Sequence, residues 1–398
     1  MTAPDSSTAY DVIILGAGAA GMMCAIEAGK RGRRVLVIDH AKAAGEKIRI
    51  SGGGRCNFTN RDAGPANFLS DNPRFCISAL RRYTPKDFIA LIETAGIAYH
   101  EKTLGQLFCD GSARQVVDLL LGEMKRYGVT LRLETSVGAV AAEADGYVVR
   151  LTNGTARAQS LVVATGGKSI PKMGATGLGY ELAAQFGLRV TETRPALVPL
   201  TIEAGALARL APLAGVAVEA QVACGKTRFA EAMLFTHRGL SGPAILQISS
   251  YWREGEEIAI SMAPGVDLFT ALRAARTGQP RQSPTAALSA YLPKRLAQLI
   301  AETEGGAAMM GDLSDKALRR IDAAVNAWRF KPVGSEGYRT AEVTLGGIDT
   351  RDLNSQTMEA KDARGLYFIG EGVDVTGWLG GYNFQWAWSS GWAAGQVV

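Results

Sequence analysis

The sequence predicts an α/β fold whose parallel sheet is built from both ends of the chain, around an inserted β-rich and helical stretch. Three observations predict it. Residues Asp11–Asp39 read as a buried apolar run, a glycine-rich turn, a small-residue helix and a second apolar run. Apolar runs closed by glycine recur at Ser160–Gly167 and Gly365–Gly370. Between these, short β-like runs give way to helical periodicity and then return to strand near Gly337–Ile348.

The first element carries the most chemistry. Val12–Leu15 enters Gly16-Ala17-Gly18-Ala19-Ala20-Gly21, and Arg34–Asp39 is the second strand. Gly16 permits the turn, Gly18 lets a pyrophosphate approach the backbone, and Gly21 lets the helix pack closely on the strand. Phosphates would sit at the helix N-terminus, where unpaired N–H groups and the dipole favour an anion. Asp39 ends the second strand where a carboxylate can accept from a ribose hydroxyl. The motif alone does not separate NAD from FAD.

Gly45–Asn57, which contains Lys47, Ser51, Gly52-Gly53-Gly54, Arg55 and Cys56, is the most unusual run. Three consecutive glycines cost conformational entropy on ordering, so the run is expected to be a cofactor-facing loop rather than a merely mobile one. Helical spacing follows at Phe88, Ile89, Leu91 and Ile92 and again at Val116, Val117, Leu120 and Met124. Strands are expected at Val129–Leu133, Val137–Val140 and Tyr147–Leu151, with Asn153-Gly154 as a turn. Gly174–Gly179 does not follow a strand directly, so no second nucleotide fold is expected there.

Short runs at Leu197–Ile202, Val216–Val222, Ala232–Phe235 and Ile258–Met262 suggest a small antiparallel barrel or sandwich. Residues 267–329 suggest a compact helical insert. At the end, Leu366–Ile369 reads as a buried strand, and Gly380-Gly381 opens a last helix. On that helix Ala387, Ser390, Gly391 and Ala394 share a face suited to close packing.

With 398 residues, two or three domains are expected. The apolar fraction of 47% and the charged fraction of 20% fit a water-soluble protein. No apolar run reaches about 18 residues, so no membrane partner is expected. Met1–Ala9 reads as a frayed tail, not a signal peptide. Five scattered cysteines without a CxxC, and three histidines, point to reduced thiols, a cytoplasmic location and no metal site. A net charge of +5, spread along the chain, predicts no nucleic-acid partner.

Taken together, Gly16–Gly21, Gly45–Asn57, Ala164-Thr165-Gly166-Gly167, Phe235–Ala244, Thr344–Ile348 and Gly370–Phe384 resemble the BaiN/YhiN-like flavoprotein family. The resemblance covers nearly the full chain, and SGGGRCN and GGYNFQWAWSSG are its most specific runs. It implies a Rossmann-type FAD-binding domain from both chain ends (1–190 and 345–398), an inserted antiparallel β-barrel substrate domain (191–265 and 330–344) and a small helical domain (266–329). It also implies FAD as cofactor. Gly16, Gly18 and Gly21, with Ala19 and Ala20, would meet the pyrophosphate, and Asp39, with His40, the adenosine. Lys47 and the Ser51–Asn57 loop would approach the cofactor, as would the Ala164–Gly167 strand end. Val137 would offer backbone to adenine. Gly370, Glu371 and Asp374 would meet ribityl and phosphate oxygens. Gly380, Gly381, Tyr382, Asn383 and Phe384 would place a helix N-terminus at the flavin C2 carbonyl, where it stabilises negative charge on the reduced ring.

Candidates for catalysis are few. His237, in a glycine-rich turn, is a proton carrier or orders that turn. Cys56 is a candidate redox thiol without a resolving partner at CxxC spacing. Tyr338 and Arg339 are substrate contacts or packing residues. Three functions follow: a flavoenzyme reducing an unsaturated or carbonyl-conjugated small molecule with transiently docked NAD(P)H; an oxidase or dehydrogenase of a small amine; or a flavin-binding regulatory or RNA-associated protein without turnover. The family is associated with both bile-acid-type ene reduction and small aminoketone oxidation. The substrate pocket is expected between the flavin domain and the barrel.

Overall fold

The computed structural model describes residues 9–306 and 308–398, so all but Ala9 of the expected tail lies outside the described residues. The chain divides into two compact units. One comprises the chain up to Arg194 together with Val343–Val398, the other Pro195–Glu342.

The first unit is laid out in chain order as β1 (Ala9–Leu15), α1 (Ala19–Lys30), β2 (Val35–Ile38), α2 (Glu46–Gly54), β3 (Asn57–Asn60), β4 (Tyr99–Glu101), β5 (Gln106–Cys109), α3 (Arg114–Arg126), β6 (Thr130–Arg132), β7 (Val137–Glu143), β8 (Gly146–Leu151), β9 (Gly154–Val163), β10 (Leu366–Phe368) and α4 (Tyr382–Gly395). Its main sheet runs β6-β2-β1-β9-β8-β7, with β10 also on β9. The partner of β9 changes along its length. Residues 154–158 pair antiparallel with β8, and residues 161–163 pair parallel with β10. Val12–Leu15, Val35–Ile38 and Leu161–Val163 are almost wholly buried, as expected of parallel strands covered on both faces.

Register sets where the strands end. Leu15 lies opposite both Ile38 and Val163, and Val163 lies opposite Phe368. Four chain segments therefore leave the sheet together at its carboxyl edge, where ligands of open α/β sheets bind.

Two helices lie close on this sheet because small residues line their contact. A Cβ on Gly21 would stand 2.0 Å from the Gly16 carbonyl oxygen. One on Gly391 of α4 would stand 2.4 Å from the Ala20 carbonyl oxygen of α1. The small face expected on the last helix is thus packed on the first. Ser390 does more than make room: its Oγ accepts from Gly370 N at 3.0 Å.

One expectation is corrected. Gly45–Asn57 is not loop throughout, because Glu46–Ile50 form a helical turn. The backbone breaks at Ser51 (ψ 149°) and then takes left-handed values at Gly52 (φ 57°), Gly53 (φ 66°) and Gly54 (φ 86°). β3, which follows at once, has no clear signal in its Asn-Phe-Thr-Asn sequence, yet all four residues are buried.

In the second unit the strands follow the order Trp328–Phe330, Ile258–Ser261, Ala217–Cys224, Thr227–Phe235, Gly239–Ser241, Leu200–Thr201 and Gly334–Ser335. The end strands do not pair among the described residues, so this is an open antiparallel sheet and no closed barrel is found. Helices at Leu268–Gly278, Pro284–Leu288, Lys294–Ile300 and Asp315–Asn326 account for the helical periodicity. Met262 N donates to Val325 O at 2.8 Å, tying the sheet to the last of them.

Replacing Gly391 by Ala is expected to force α4 away from α1 and cost about 1–3 kcal/mol, the usual range for overpacking. Thermal unfolding checks this. An unchanged melting temperature would mean that the contact is slack.

Candidate functional site

The carboxyl edge of the first unit's sheet brings most of the sequence-predicted residues together. Gly16 N donates to Ile38 O (2.7 Å), Ala164 N to Leu15 O (2.8 Å) and Ile369 N to Val163 O (3.1 Å). Gly18 caps the twelve-residue α1, and no atom lies within 4 Å of where its Cβ would stand. The first N–H groups of α1 have no acceptor within the helix. Backbone and dipole together thus form an open anion cradle.

Asp39 stands beside it. Its Oδ2 accepts from Ala17 N at 2.7 Å and its Oδ1 from Ala41 N at 2.8 Å. Each carboxylate oxygen keeps further lone-pair capacity for a ribose hydroxyl. His40 is exposed, with Nδ1 3.6 Å from Asp39 Oδ1. Thr135 N donates to Asp39 O at 3.0 Å, which carries the chain past Asp39 and on to Val137 two residues later.

Lys47 and Glu371 meet from opposite ends of the sequence. Lys47 Nζ lies 2.5 Å from Glu371 Oε2 and 2.5 Å from Ser169 Oγ. Ser169 Oγ donates to Glu371 Oε1 at 2.8 Å, and Thr344 N donates to the same oxygen at 3.1 Å. Gly167 leaves room for this group, since a Cβ there would stand 2.4 Å from Thr344 Oγ1. Glu371 is therefore held by protein on both oxygens. Asp374, 3% exposed, accepts from Asp71 N (2.9 Å) and Ser70 Oγ (3.3 Å), and burial raises its carboxyl pKa above the ordinary range.

The N-terminus of α4 is braced by β3. Asn60 Nδ2 donates to Gly380 O at 3.0 Å, Thr59 Oγ1 to Gln385 Oε1 at 2.6 Å, and Trp388 Nε1 to Phe58 O at 2.8 Å. With its carboxamide oxygen turned toward α4, Asn57 accepts from Gly381 N at 3.2 Å and donates to Leu107 O at 3.1 Å. The Asn383 side chain turns back onto its own loop, accepting from Gly377 N (2.8 Å) and donating to Gly377 O (2.9 Å). Phe384 stacks on Trp388. What α4 presents outward is backbone: the N–H groups of Asn383 and Phe384 lie in its first turn, beyond intrahelical acceptors.

The two catalytic candidates are placed differently. Cys56 is 0% exposed, and burial pushes its thiol up to about 12. This is the setting of a packed thiol rather than a thiolate. His237 lies in the second unit, exposed, in the turn that follows Phe235. That turn is ordered by Thr236, whose Oγ1 accepts from Arg238 N (3.2 Å) and Gly239 N (3.0 Å). Sequence reasoning missed Ser169, Thr344, Asn60, Gln106 and Gln385. All but Gln106 are held by long-range polar contacts that no local pattern encodes, and Gln106 is recognised only through its approach to Gly380.

Open cradle, acidic strand end and second helix N-terminus fit FAD and define an FAD-binding Rossmann-type flavoprotein. The chain belongs to the HI0933-like family, whose Rossmann domain matches residues 10–397. It is 52% identical over 396 residues to the ribosomal RNA dihydrouridine synthase of Escherichia coli (strain K12), covering 97% of each chain. It is 28% identical over 404 residues to the 3-dehydro-bile acid delta(4,6)-reductase of Clostridium scindens, covering 97% of this chain and 98% of that one. A flavocytochrome c3 fumarate reductase in its open conformation shares the fold at a TM-score of 0.50 and 18% identity, over 99% of this chain and 78% of that one. The protein is an FAD-dependent oxidoreductase.

The expectation of no nucleic-acid partner is corrected by the Escherichia coli relative, which is named for ribosomal RNA. The physical reason is averaging. A net charge of +5 averaged over the whole chain does not report how cations are grouped at any one surface. Among the described residues no helix is long and apolar enough to cross a membrane.

Two outcomes are expected. Lys47→Met leaves Glu371 without its cation, so FAD affinity and melting temperature fall. Adding Glu371→Gln restores part of the loss, because the two residues act as one unit. FAD content and thermal unfolding of Lys47→Met, Glu371→Gln and the double variant check this, and additive losses would contradict it. Second, thiol alkylation of the native protein followed by mass spectrometry is expected to label half-buried Cys224 and to leave Cys56 unmodified.

Proposed function

We propose that this enzyme reduces a carbon–carbon double bond conjugated to a carbonyl, and that its substrate is a uridine of ribosomal RNA, converted to 5,6-dihydrouridine. The observation that carries this reading is the 52% identity, over nearly the full length, to an enzyme named for that product. The bile-acid reductase supports the reaction class. In both cases the bond to be saturated is polarised by a carbonyl: C4=O for uracil, the 3-oxo group for the steroid.

In this reading the Gly16–Gly21 turn, including Ala19 and Ala20, holds the FAD pyrophosphate, and Asp39 holds the adenosine ribose. Lys47 and Glu371 fix the Gly370–Gly372 turn next to the ribityl chain. The α4 N-terminus, braced by Asn57 and Asn60, faces the flavin C2 carbonyl and stabilises negative charge there. When bound and reduced, FAD would supply the hydride equivalent that, with one proton, saturates the uracil C5=C6 bond. NAD(P)H supplies the electrons. Exposed cations near the site bind RNA phosphates, and that binding weakens as salt rises.

The test is anaerobic incubation of the FAD-loaded enzyme with NADPH and ribosomal RNA transcribed in vitro, which carries no modification. Mass spectrometry of the digested RNA is expected to show a uridine that has gained two hydrogen atoms. A flavin that bleaches with NADPH, leaves both large ribosomal transcripts unchanged and reduces a 3-oxo-Δ4 steroid would replace RNA by a small molecule as substrate.

A further inference from the structure

One exposed side chain in the first unit is unexplained by packing. Leu104 is 59% exposed and has a φ of 49°, in the left-handed region that leucine rarely adopts. Its side chain therefore adds little to the core, and its backbone is strained. Glycine or asparagine would take this conformation more easily. A strained, exposed apolar residue points to a contact outside the fold.

The tip that carries it is rigidly placed. β4 and β5 form a hairpin in which His100 lies opposite Phe108 and Glu101 opposite Leu107. Lys102 N donates to Gln106 O at 3.0 Å, and Gln106 N to Thr103 O at 3.0 Å. Asn60, fully buried, donates from one Nδ2 to both Leu104 O (2.9 Å) and Gly380 O (3.0 Å). Arg61 N donates to Gly105 O at 2.8 Å. Gln106 packs so closely on Gly380 that a Cβ there would stand 2.8 Å from its side chain. The hairpin tip is thereby locked to the residue just before the α4 N-cap, next to the proposed flavin position.

Cations flank the tip. Lys102 is exposed, its Nζ 5.6 Å from the centre of the Phe108 ring, and Arg61 is exposed and paired with Glu101 at 2.9 Å. Arg55, also exposed, is joined to this sheet by Cys109 N donating to its carbonyl at 3.0 Å. Carboxylates stand at the tip as well, Glu101 against Arg61 and Asp62 beside Gly105. Of Lys102 and Arg61, Lys102 is therefore the one not paired with an acid among the described residues. An apolar tip beside it matches a nucleic-acid strand, with the cation meeting a phosphate and the apolar group a base.

Resting on the reading that RNA is the substrate, we propose that Leu104 fills the space left in the RNA stack when the target uridine is extruded toward the flavin, with Lys102 on a flanking phosphate. A base inside a stack cannot present its C6 to a buried reactant, and an apolar wedge is a known means of stabilising the gap.

The test compares wild type, Leu104→Gly, Leu104→Met and Lys102→Ala as full-length, FAD-loaded, photoreduced proteins. The probe is in vitro transcribed ribosomal RNA, and the readout is the rate of dihydrouridine formation. Leu104→Gly removes the side chain and relieves the backbone. FAD content and melting temperature are expected to hold, while the rate falls at least roughly tenfold. Leu104→Met should stay within about threefold of wild type. Lys102→Ala should weaken RNA binding and lower its salt slope by about one. A Leu104→Gly enzyme as fast as wild type overturns the wedge and leaves the function standing. Loss of FAD or a lower melting temperature in that variant also overturns it, because Leu104 would then be a structural clamp. If wild type itself forms no dihydrouridine, the proposed function fails and the wedge falls with it.

Discussion

Everything at the proposed cofactor site depends on how closely α1 and α4 approach each other. Gly391 against the Ala20 carbonyl and Gly395 against Glu27 Cβ and the Cys24 carbonyl let the two backbones approach closely. That contact joins the first and last parts of the chain. It brings Gly370 against Ala20, where a Cβ on Gly370 would stand 2.9 Å from the Ala20 Cβ. It also sets the N-termini of both helices on one unit, so that two positive dipole ends can serve one elongated, anionic cofactor. Larger residues at this seam would move α4 and its whole first turn.

The second constraint is polar. β3 is buried at all four positions, and the side chains of Thr59 and Asn60 bond to α4, to the residue before its N-cap and to the β4–β5 hairpin. Gln385 illustrates the density of this packing: it accepts from Thr59 and donates to Tyr83 O and Ser389 Oγ while fully buried. Buried polar groups without partners are costly, so such a network defines one arrangement of strand, helix and hairpin. The ion pair of Lys47 and Glu371, bridged by Ser169, does the same for the opposite side of the Gly370–Gly372 turn.

The parallel core was legible because its signals are local. Apolar runs of four to seven residues ended by glycine can be recognised one at a time, and Asp39 stands at a readable distance from Gly16. The small face of α4 was legible for the same reason. β3 was not, because Asn-Phe-Thr-Asn is buried only by virtue of what packs on it from distant sequence. The α2 region was misread because glycine density suggested loop, whereas Glu46–Ile50 complete a helical turn before the left-handed run begins. The barrel was inferred from strand spacing, but closure depends on pairing between the end strands, which spacing does not encode. The absence of a nucleic-acid partner is expected from an average charge, which does not report how cations are grouped at one surface. Leu104 carries no signal in the sequence; only its φ and exposure set it apart.

The change of partner along β9 has a consequence for how the protein is made. Its first half is satisfied early, by the adjacent hairpin strand β8. Its second half waits for β10, about two hundred positions later in the chain. Pairing over such a distance raises contact order and slows folding. During synthesis the edge at Leu161–Val163 and the α1 face that α4 will cover stay open until the second unit has emerged. The cradle for the cofactor is thus among the last parts of the protein to form, and FAD capture becomes a report that both halves of the first unit have met.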